Sequence, residues 1–236
     1  MWVCRYFIEF IIFSFFGWIW ESVLCTVTNK KWERRGFLFG PICPIYGVGA
    51  MGGFALVDIL KLNGYPPLNW IQVLLIGFFG CTILEYTTSY ALEKLFHAYW
   101  WDYSNIPLNI HGRVCLIASC TFAGAGLLVV FVVYPYFEHL SSFIAPEITE
   151  IVALVFSAFF FVDISLTVSS LTNILQRVLK LDDSINDHMT ELVDSLYNTT
   201  SAIGRGAVSR IKGVRFKKPY QMKFFSMLAD KIKNKF

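Results

Sequence analysis

Five apolar stretches, each long enough to cross a lipid bilayer as a helix, constrain this chain more than any other feature. A membrane-spanning helix needs roughly 20 mostly apolar residues. Charged residues make up 16% of the sequence, whereas a soluble domain carries about 25%. The sequence therefore predicts an all-α polytopic membrane protein, with a helical domain over residues 1–176 and a cytoplasmic tail over residues 177–236. The predicted spans are residues 4–28, 45–62, 69–92, 113–135 and 148–175.

The positions of the lysines and arginines predict how the chain sits in the membrane, because cytoplasmic connections carry an excess of these residues. Eighteen of the twenty follow the first, third or fifth predicted span, and only Arg5 and Lys61 lie on the other side. The first apolar stretch is longer than a signal-peptide core, and no small-residue cleavage site follows it. We therefore expect a permanent first helix, an outside N-terminus and a cytoplasmic C-terminus.

An irregular segment rich in glycine and proline follows the first span. Residues 34–47 begin with two arginines, become apolar within two residues, and contain Pro41, Pro44 and three glycines. Non-helical backbone at membrane depth persists only where it is buried in protein or lines a water-filled cavity. The sequence therefore predicts a floor or lip around which the other helices are arranged.

Five acidic residues fall at least four residues inside predicted spans, where ionisable groups are costly and are functional candidates by default. Glu21 and Glu85 each lie about seven residues before the cytoplasmic end of a span. At roughly 1.5 Å per residue, both lie about 10 Å below the inner surface. Asp163, near the middle of the fifth span, is either an ion or proton relay or a partner of serine and threonine hydroxyls. The remaining two are Glu9 and Asp58.

The shared depth of Glu21 and Glu85 suggests a functional hypothesis: the two carboxylates line a polar pocket that is open to the inner leaflet. The two carboxylates would face basic residues that enter from the same side, under a lid formed by residues 40–46 and 100–103. The alternative is an ion-pair network that only fixes the register of the helices. The predicted binding residues are Glu21, Arg35, Cys43, Tyr46, Glu85, Tyr86, Trp101, Asp102 and Arg113.

The tail is predicted to contain an amphipathic helix followed by a basic segment. Apolar residues recur at helical spacing from residue 181 to residue 196, and residues 205–236 contain ten lysines and arginines against one aspartate, with aromatic residues between them. Such a segment is typical of an anchor on anionic lipids of the inner leaflet. There are two alternatives, a tail that is merely solvated and, less favoured by the sequence, a tail that binds nucleic acid.

The sequence assigns no catalytic residue, cofactor or metal. None of the six cysteines forms a CxxC pair, and the four histidines have no ligand spacing. A Walker A sequence, a G-x-S-x-G nucleophile elbow and an H-E-x-x-H zinc motif are all absent. The chain is therefore not expected to bind ATP through a P-loop of its own.

Six motifs follow one another along the first three predicted spans and their connections. They are WE at 20–21, RGFLFGPICPIYG at 35–47, EYTTS at 85–89, LEKLF at 92–96, WWDYS at 100–104 and GRVCL at 112–116. In this order they resemble a family of bacterial integral membrane proteins, the putative ABC-transporter type IV (CmpB-like) family. The resemblance covers about residues 1–175 and implies a multi-pass protein of the bacterial cytoplasmic membrane. It brings no assigned catalytic or substrate residues with it.

Three hypotheses of function remain open at this stage. The first is a transport component, resembling an ABC permease, that works with a separate ATPase subunit or as a homo-oligomer. The second is a membrane enzyme acting on a lipid or lipid-linked headgroup, because arginines beside carboxylates suit phosphate recognition and acid–base chemistry. The third is an assembly or sensing protein that its basic tail tethers to the membrane.

Overall fold

The described part of the fold consists mainly of five helical spans, as the sequence predicts. The structure, a computed structural model, describes residues 2–30, 36–141 and 143–179, together with residues 198, 206, 213–214 and 227. Five segments of these residues are long and apolar enough to span a membrane. The helices are α1 (Trp2–Asn29), α2 (Pro44–Leu62), α3 (Trp70–Phe96), α4 (Leu116–Leu128), α5 (Tyr134–Ser141) and α6 (Pro146–Leu179).

Local signals in the sequence explain where these helices begin and end. Pro44 occupies the first turn of α2, where a missing backbone N–H costs nothing. A capping box between Asn69 and Gln72 starts α3, and His97 ends it in the left-handed conformation. A π-helical turn, Val129–Val133, joins α4 to α5, so these two helices form a single span.

Successive spans run in opposite directions, which gives the bundle two distinct sides. The first residues of α1 lie on one side, which we call the N-terminal side. The connection between α3 and α4 lies on the other, which we call the loop side. Because eighteen of the twenty basic residues follow, in the sequence, spans that end at the loop side, we predict that this side faces the cytoplasm.

Short strands shape the loop side. Two of them, β2 (Asn109–Ile110) and β3 (Val114–Cys115), form an antiparallel pair within the connection from α3 to α4. Another, β1 (Ala98–Tyr99), pairs with β4 (Gly213–Val214) of the tail. Residues 213–214 of the tail therefore lie at the loop side. The predicted amphipathic helix and most of the predicted lipid anchor lie outside the described residues.

Glycines bring α1 and α2 into close contact. A side-chain carbon on Gly47 would collide with the Phe10 carbonyl and the Ser14 hydroxyl of α1, and one on Gly17 would collide with the ring of Tyr46. By contrast, Gly49 and Gly53, whose spacing suggests a packing motif, have no neighbour closer than 3.8 Å to such a carbon. Close packing of α2 is therefore observed, but Gly47 produces it rather than the Gly49–Gly53 step.

Residues 36–43 form an irregular segment that re-enters the bundle from the loop side. Its last backbone N–H, at Cys43, donates a 2.9 Å hydrogen bond to the carbonyl of Ser14, halfway along α1. The N–H groups of Phe39 and Gly40 donate to the carboxylate of Asp163, halfway along α6, over 2.9 and 2.8 Å. Helix α6 thus supplies the acceptors that irregular backbone needs at membrane depth.

Candidate functional site

A carboxylate from α1 meets a phenol from the start of α2. The Tyr46 hydroxyl donates a 2.6 Å hydrogen bond to Oε1 of Glu21. Gly17, one turn before Glu21 on α1, leaves the space that the Tyr46 ring occupies. The absence of a side chain at residue 17 therefore determines where the hydroxyl of Tyr46 lies.

A second carboxylate and phenol pair lies between α3 and the loop that follows it. The Tyr103 hydroxyl donates a 2.9 Å hydrogen bond to Oε1 of Glu85. Glu85 is only 4% exposed, and among the described residues its other oxygen, Oε2, has no hydrogen-bond partner. A buried acceptor without a donor is costly, so this oxygen is the least satisfied atom of the pair.

The two pairs form one group, which we call the carboxylate cluster: Glu21, Tyr46, Glu85 and Tyr103. Burial raises the pKa of Tyr103, and the negative charges of Glu85 and Glu21 raise it further. The phenol therefore keeps its proton and acts as a hydrogen-bond donor to Glu85. Two acidic groups from different helices thus lie close enough for their charges to act on the same side chain.

The loop between α3 and α4 holds Tyr103 in this position. Oδ1 of Asp102 accepts hydrogen bonds from the backbone N–H and the hydroxyl of Ser104, which closes a tight turn. The Tyr103 N–H donates to the carbonyl of Gly112 over 2.8 Å, and Trp101 Nε1 donates to the carbonyl of Arg113 over 2.9 Å. The observed contacts of Trp101 and Asp102 therefore position Tyr103, which the sequence predicts in the lid of the pocket but not among the binding residues.

Arg113 forms its ion pair with a residue outside the carboxylate cluster, although the pocket hypothesis placed it with Glu21 and Glu85. Its guanidinium forms a 2.6 Å ion pair with Glu93 and lies over the rings of Tyr86 and Tyr90. Burial lowers the pKa of Arg113, but the hydrogen bond and the charge of Glu93 raise it by more. Tyr86, whose hydroxyl lies 3.1 Å from Nδ1 of His111, belongs to this second group.

We expect the ion pair of Glu93 with Arg113 to stabilise the fold more than the exposed pair of Lys61 with Glu138. The side chains of Arg113 and Glu93 are 14% and 21% exposed, against 52% and 50% for Lys61 and Glu138. Glu93→Gln should lower the free energy of unfolding by about 2 kcal/mol, because it leaves a half-buried guanidinium unpaired. The control, Glu138→Gln, should cost less than about 1 kcal/mol. Unfolding in mixed micelles measures both, and equal losses would contradict the assignment.

The remaining predicted site residues lie around this cluster or outside the described residues. Cys43 occupies the position before the first turn of α2, without a capping hydrogen bond from its side chain, and its thiol lies beside Gly36, whose φ of 102° few other residues adopt. Asp163 holds the re-entrant segment, and Thr167 of the same helix lies 3.4 Å from its Oδ1. Arg35 lies outside the described residues, so its predicted role stays a prediction.

Polar residues at the N-terminal side form a separate network. Asp58 accepts hydrogen bonds from the hydroxyls of Tyr6 and Tyr134. Arg5 donates to Oε1 of Glu9 over 2.8 Å, and its Nη2 lies 3.6 Å from Asp58. Glu9 is 3% exposed, so it is buried in the protein.

Comparison with known proteins identifies one family. The family model described as putative ABC-transporter type IV matches residues 8–168. No curated protein and no solved structure matches the chain significantly. The matched residues include all four members of the carboxylate cluster, the re-entrant segment and Asp163.

Proposed function

The chain belongs to the putative ABC-transporter type IV family of bacterial multi-pass membrane proteins, and from this premise we propose that it is a transport component whose carboxylate cluster binds one positive charge. The observation that carries the proposal is the state of Glu85. Its side chain is almost fully buried, one of its oxygens accepts from Tyr103, and the other has no partner among the described residues.

The chemistry of the cluster suits a positive charge. It combines two carboxylates with two phenols, and within the described part of the chain no lysine or arginine forms an ion pair with Glu85. Oxygen ligands of this kind hold protons or small hard cations rather than anions. A proton and a monovalent metal cation share this chemistry, because each would neutralise the charge that the carboxylates bring into the bundle.

The ion pair of Arg113 favours the transport hypothesis over the hypothesis of an enzyme that acts on a lipid headgroup. That hypothesis needs arginines beside the carboxylates to bind a phosphate. Arg113 is instead paired with Glu93, and the other candidate, Arg35, lies outside the described residues. The transport hypothesis needs no such arginine, because its ligand is positive.

The proposal includes an ATPase partner, since the family description names an ABC transporter and the sequence has no Walker A motif of its own. We propose that the partner binds the loop side, which is the predicted cytoplasmic side. Exposed apolar residues of the connecting loop, Leu108 and Ile110, support a protein contact there. Co-purification from cells expressing tagged chain, followed by identification of bound ATPases, tests this part.

Glu85→Gln should abolish the rise in melting temperature that the bound proton or cation gives the protein. The amide keeps an oxygen for Tyr103 but loses the charge, so the fold should survive. The purified wild type should melt about 3–6 °C higher when the bound ion is present at tenfold its dissociation constant. The probes are sodium, potassium and ammonium chloride at constant ionic strength, with a separate series of pH steps.

The matched control is Glu150→Gln, because Glu150 is an exposed acid of α6 away from the cluster. It should respond like the wild type. The proposal fails if the wild type responds to neither protons nor monovalent cations, or if Glu85→Gln keeps the full response.

A further inference from the structure

The N-terminal side holds a second group of carboxylates and phenols, apart from the carboxylate cluster. Glu9 precedes Glu21 by 12 positions in α1, which is about 18 Å along the helix. The two groups therefore lie towards opposite sides of the bundle. We call the second group the N-terminal network: Arg5, Tyr6, Glu9, Asp58 and Tyr134.

Within this network, Asp58 has the partners that a charged carboxylate needs. The hydroxyl of Tyr6 donates a 2.6 Å hydrogen bond to its Oδ2, and the hydroxyl of Tyr134 donates to its Oδ1. Nη2 of Arg5 lies 3.6 Å from Oδ2 and adds an ion pair. Hydrogen bonds from donors and a nearby positive charge both favour the charged form of a carboxylate.

Glu9 is more deeply buried than Asp58 but has fewer partners. Its Oε1 accepts a 2.8 Å hydrogen bond from Nε of Arg5. Its Oε2 is buried and has no hydrogen-bond partner among the described residues. An unpaired charge inside a protein costs far more free energy than an unpaired neutral polar group, so the negative charge of Glu9 is the costliest feature of the network.

The network contains one more negative than positive charge. Arg5 is shared between Glu9 and Asp58. Lys61, one turn after Asp58 in α2, forms an exposed ion pair with Glu138 of α5, so its charge is balanced there. Among the described residues, the side chains of α6 that line the adjoining cleft carry no charge. One bound positive charge would therefore balance the network.

The helix that carries Tyr134 is irregular where it reaches this network. A π-helical turn precedes Tyr134, whose backbone N–H donates to the carbonyl of Val129, five residues earlier. Pro135 follows, and proline lacks the N–H that a regular helix uses. Turns of this kind occur often at functional sites. Here the turn precedes the residue whose hydroxyl reaches Asp58.

We propose that Glu9 is a proton-binding site. A hydronium ion gives up the proton, the carboxylate gains an O–H bond, and water is left. Arg5 then pairs with Asp58 alone, and the charges of the network balance. Because Oε2 is buried, it has no room beside it for a metal ion or an organic ligand, whereas a proton needs none. Protons approach through a cleft of about 320 Å³ at the N-terminal side, which Arg5 and Glu9 line.

The proton site at Glu9 does not depend on the cation site at Glu85, since the two carboxylates share no partner in the contacts described above. Together the two sites give the chain one charge-binding carboxylate towards each side of the bundle. A protein that moves protons or cations across a membrane needs such a pair. Only this pairing of the two sites rests on the proposed function.

Infrared difference spectra of the purified full-length chain, recorded between acidic and alkaline pH, test the proposal. A protonated carboxyl group has a band that the ionised carboxylate lacks. The wild type should show such a band disappearing as the pH rises, and Glu9→Gln should lose it, because an amide has no proton to release. The control Glu147→Gln changes an exposed acid of the same side that does not line the cleft, and it should keep the band. Glu85→Gln should keep it too, so the two proposals can fail separately.

Two further variants keep Glu9 and change the charges beside it, so they test the proposal even where Glu9→Gln does not fold. Arg5→Gln removes the positive charge, and the band should persist to higher pH. Asp58→Asn leaves Arg5 to Glu9 alone, and the band should vanish at lower pH. An unchanged spectrum in Glu9→Gln would overturn the proposal, as would shifts in the same direction in Arg5→Gln and Asp58→Asn.

Discussion

Asp163→Ala is expected to destabilise the protein by about 3 kcal/mol or more. The carboxylate accepts hydrogen bonds from the backbone N–H groups of Phe39 and Gly40, inside the membrane-spanning bundle. Removing it leaves the Gly40 N–H without this acceptor and the Phe39 N–H with its longer 3.3 Å hydrogen bond to the Thr167 hydroxyl. Water does not replace the carboxylate there, and an unsatisfied buried donor costs about 1–3 kcal/mol. Equilibrium unfolding in mixed micelles measures the loss.

Two comparison variants separate this effect from a general loss of polarity on α6. Asp163→Asn keeps one acceptor oxygen in place, so its loss should be about half as large. Ser165→Ala removes an exposed hydroxyl that donates to the carbonyl of Phe161 on its own helix, and it should be close to neutral. A nearly neutral Asp163→Ala would show that the re-entrant segment does not depend on this carboxylate.

Gly47→Ala and Gly52→Ala should change stability in opposite directions, although both glycines lie in α2. A methyl group on Gly47 would collide with the Phe10 carbonyl and the Ser14 hydroxyl, and it would lie 2.7 Å from the ring of Phe10. Because a backbone carbonyl cannot turn aside, α1 and α2 must separate, at a cost of about 3 kcal/mol. At Gly52 no atom lies within 4 Å, and alanine should stabilise the helix by about 0.5–1 kcal/mol.

The same unfolding assay compares the two alanine variants. The contrast matters for function, because Gly47 follows Tyr46 directly, and separation of the helices would withdraw the Tyr46 hydroxyl from Glu21. Destabilisation of both variants to the same extent would contradict the packing described for α1 and α2.

The five spans could be predicted from the sequence because each is a long apolar run, and length and hydropathy suffice to recognise such a run. The shared depth of Glu21 and Glu85 followed from counting residues to the ends of their spans. The structure brings both into the carboxylate cluster. The predicted orientation rests on the basic residues alone and stays a prediction.

Partners distant in sequence were harder to predict. Arg113 was expected beside Glu85, but it lies at the start of the fourth span, level with Glu93. Glu85 is eight residues earlier in α3, about 12 Å deeper in the bundle. Counting the residues from Arg113 to the end of its span, as for the acids, would have favoured Glu93 as its ion-pair partner.

The partners of Asp163 left no signal in the sequence. They are backbone N–H groups more than 120 residues away, and every residue except proline has such a group. Tyr103 was predicted in the lid but not as a binding residue, for a different reason. Its neighbours Trp101 and Asp102 have more conspicuous chemistry, yet their observed hydrogen bonds fix the turn that brings the Tyr103 hydroxyl to Glu85.

Infrared difference spectroscopy of the purified protein tests most directly whether Glu85 takes up a positive charge. A spectrum recorded before and after a pH step, or before and after addition of the stabilising cation, reports changes in the vibrations of individual carboxyl groups. We predict a carboxyl band that changes with proton or cation in the wild type and in Glu150→Gln, and that is missing in Glu85→Gln. An identical difference spectrum in Glu85→Gln would contradict the proposal that Glu85 binds the charge.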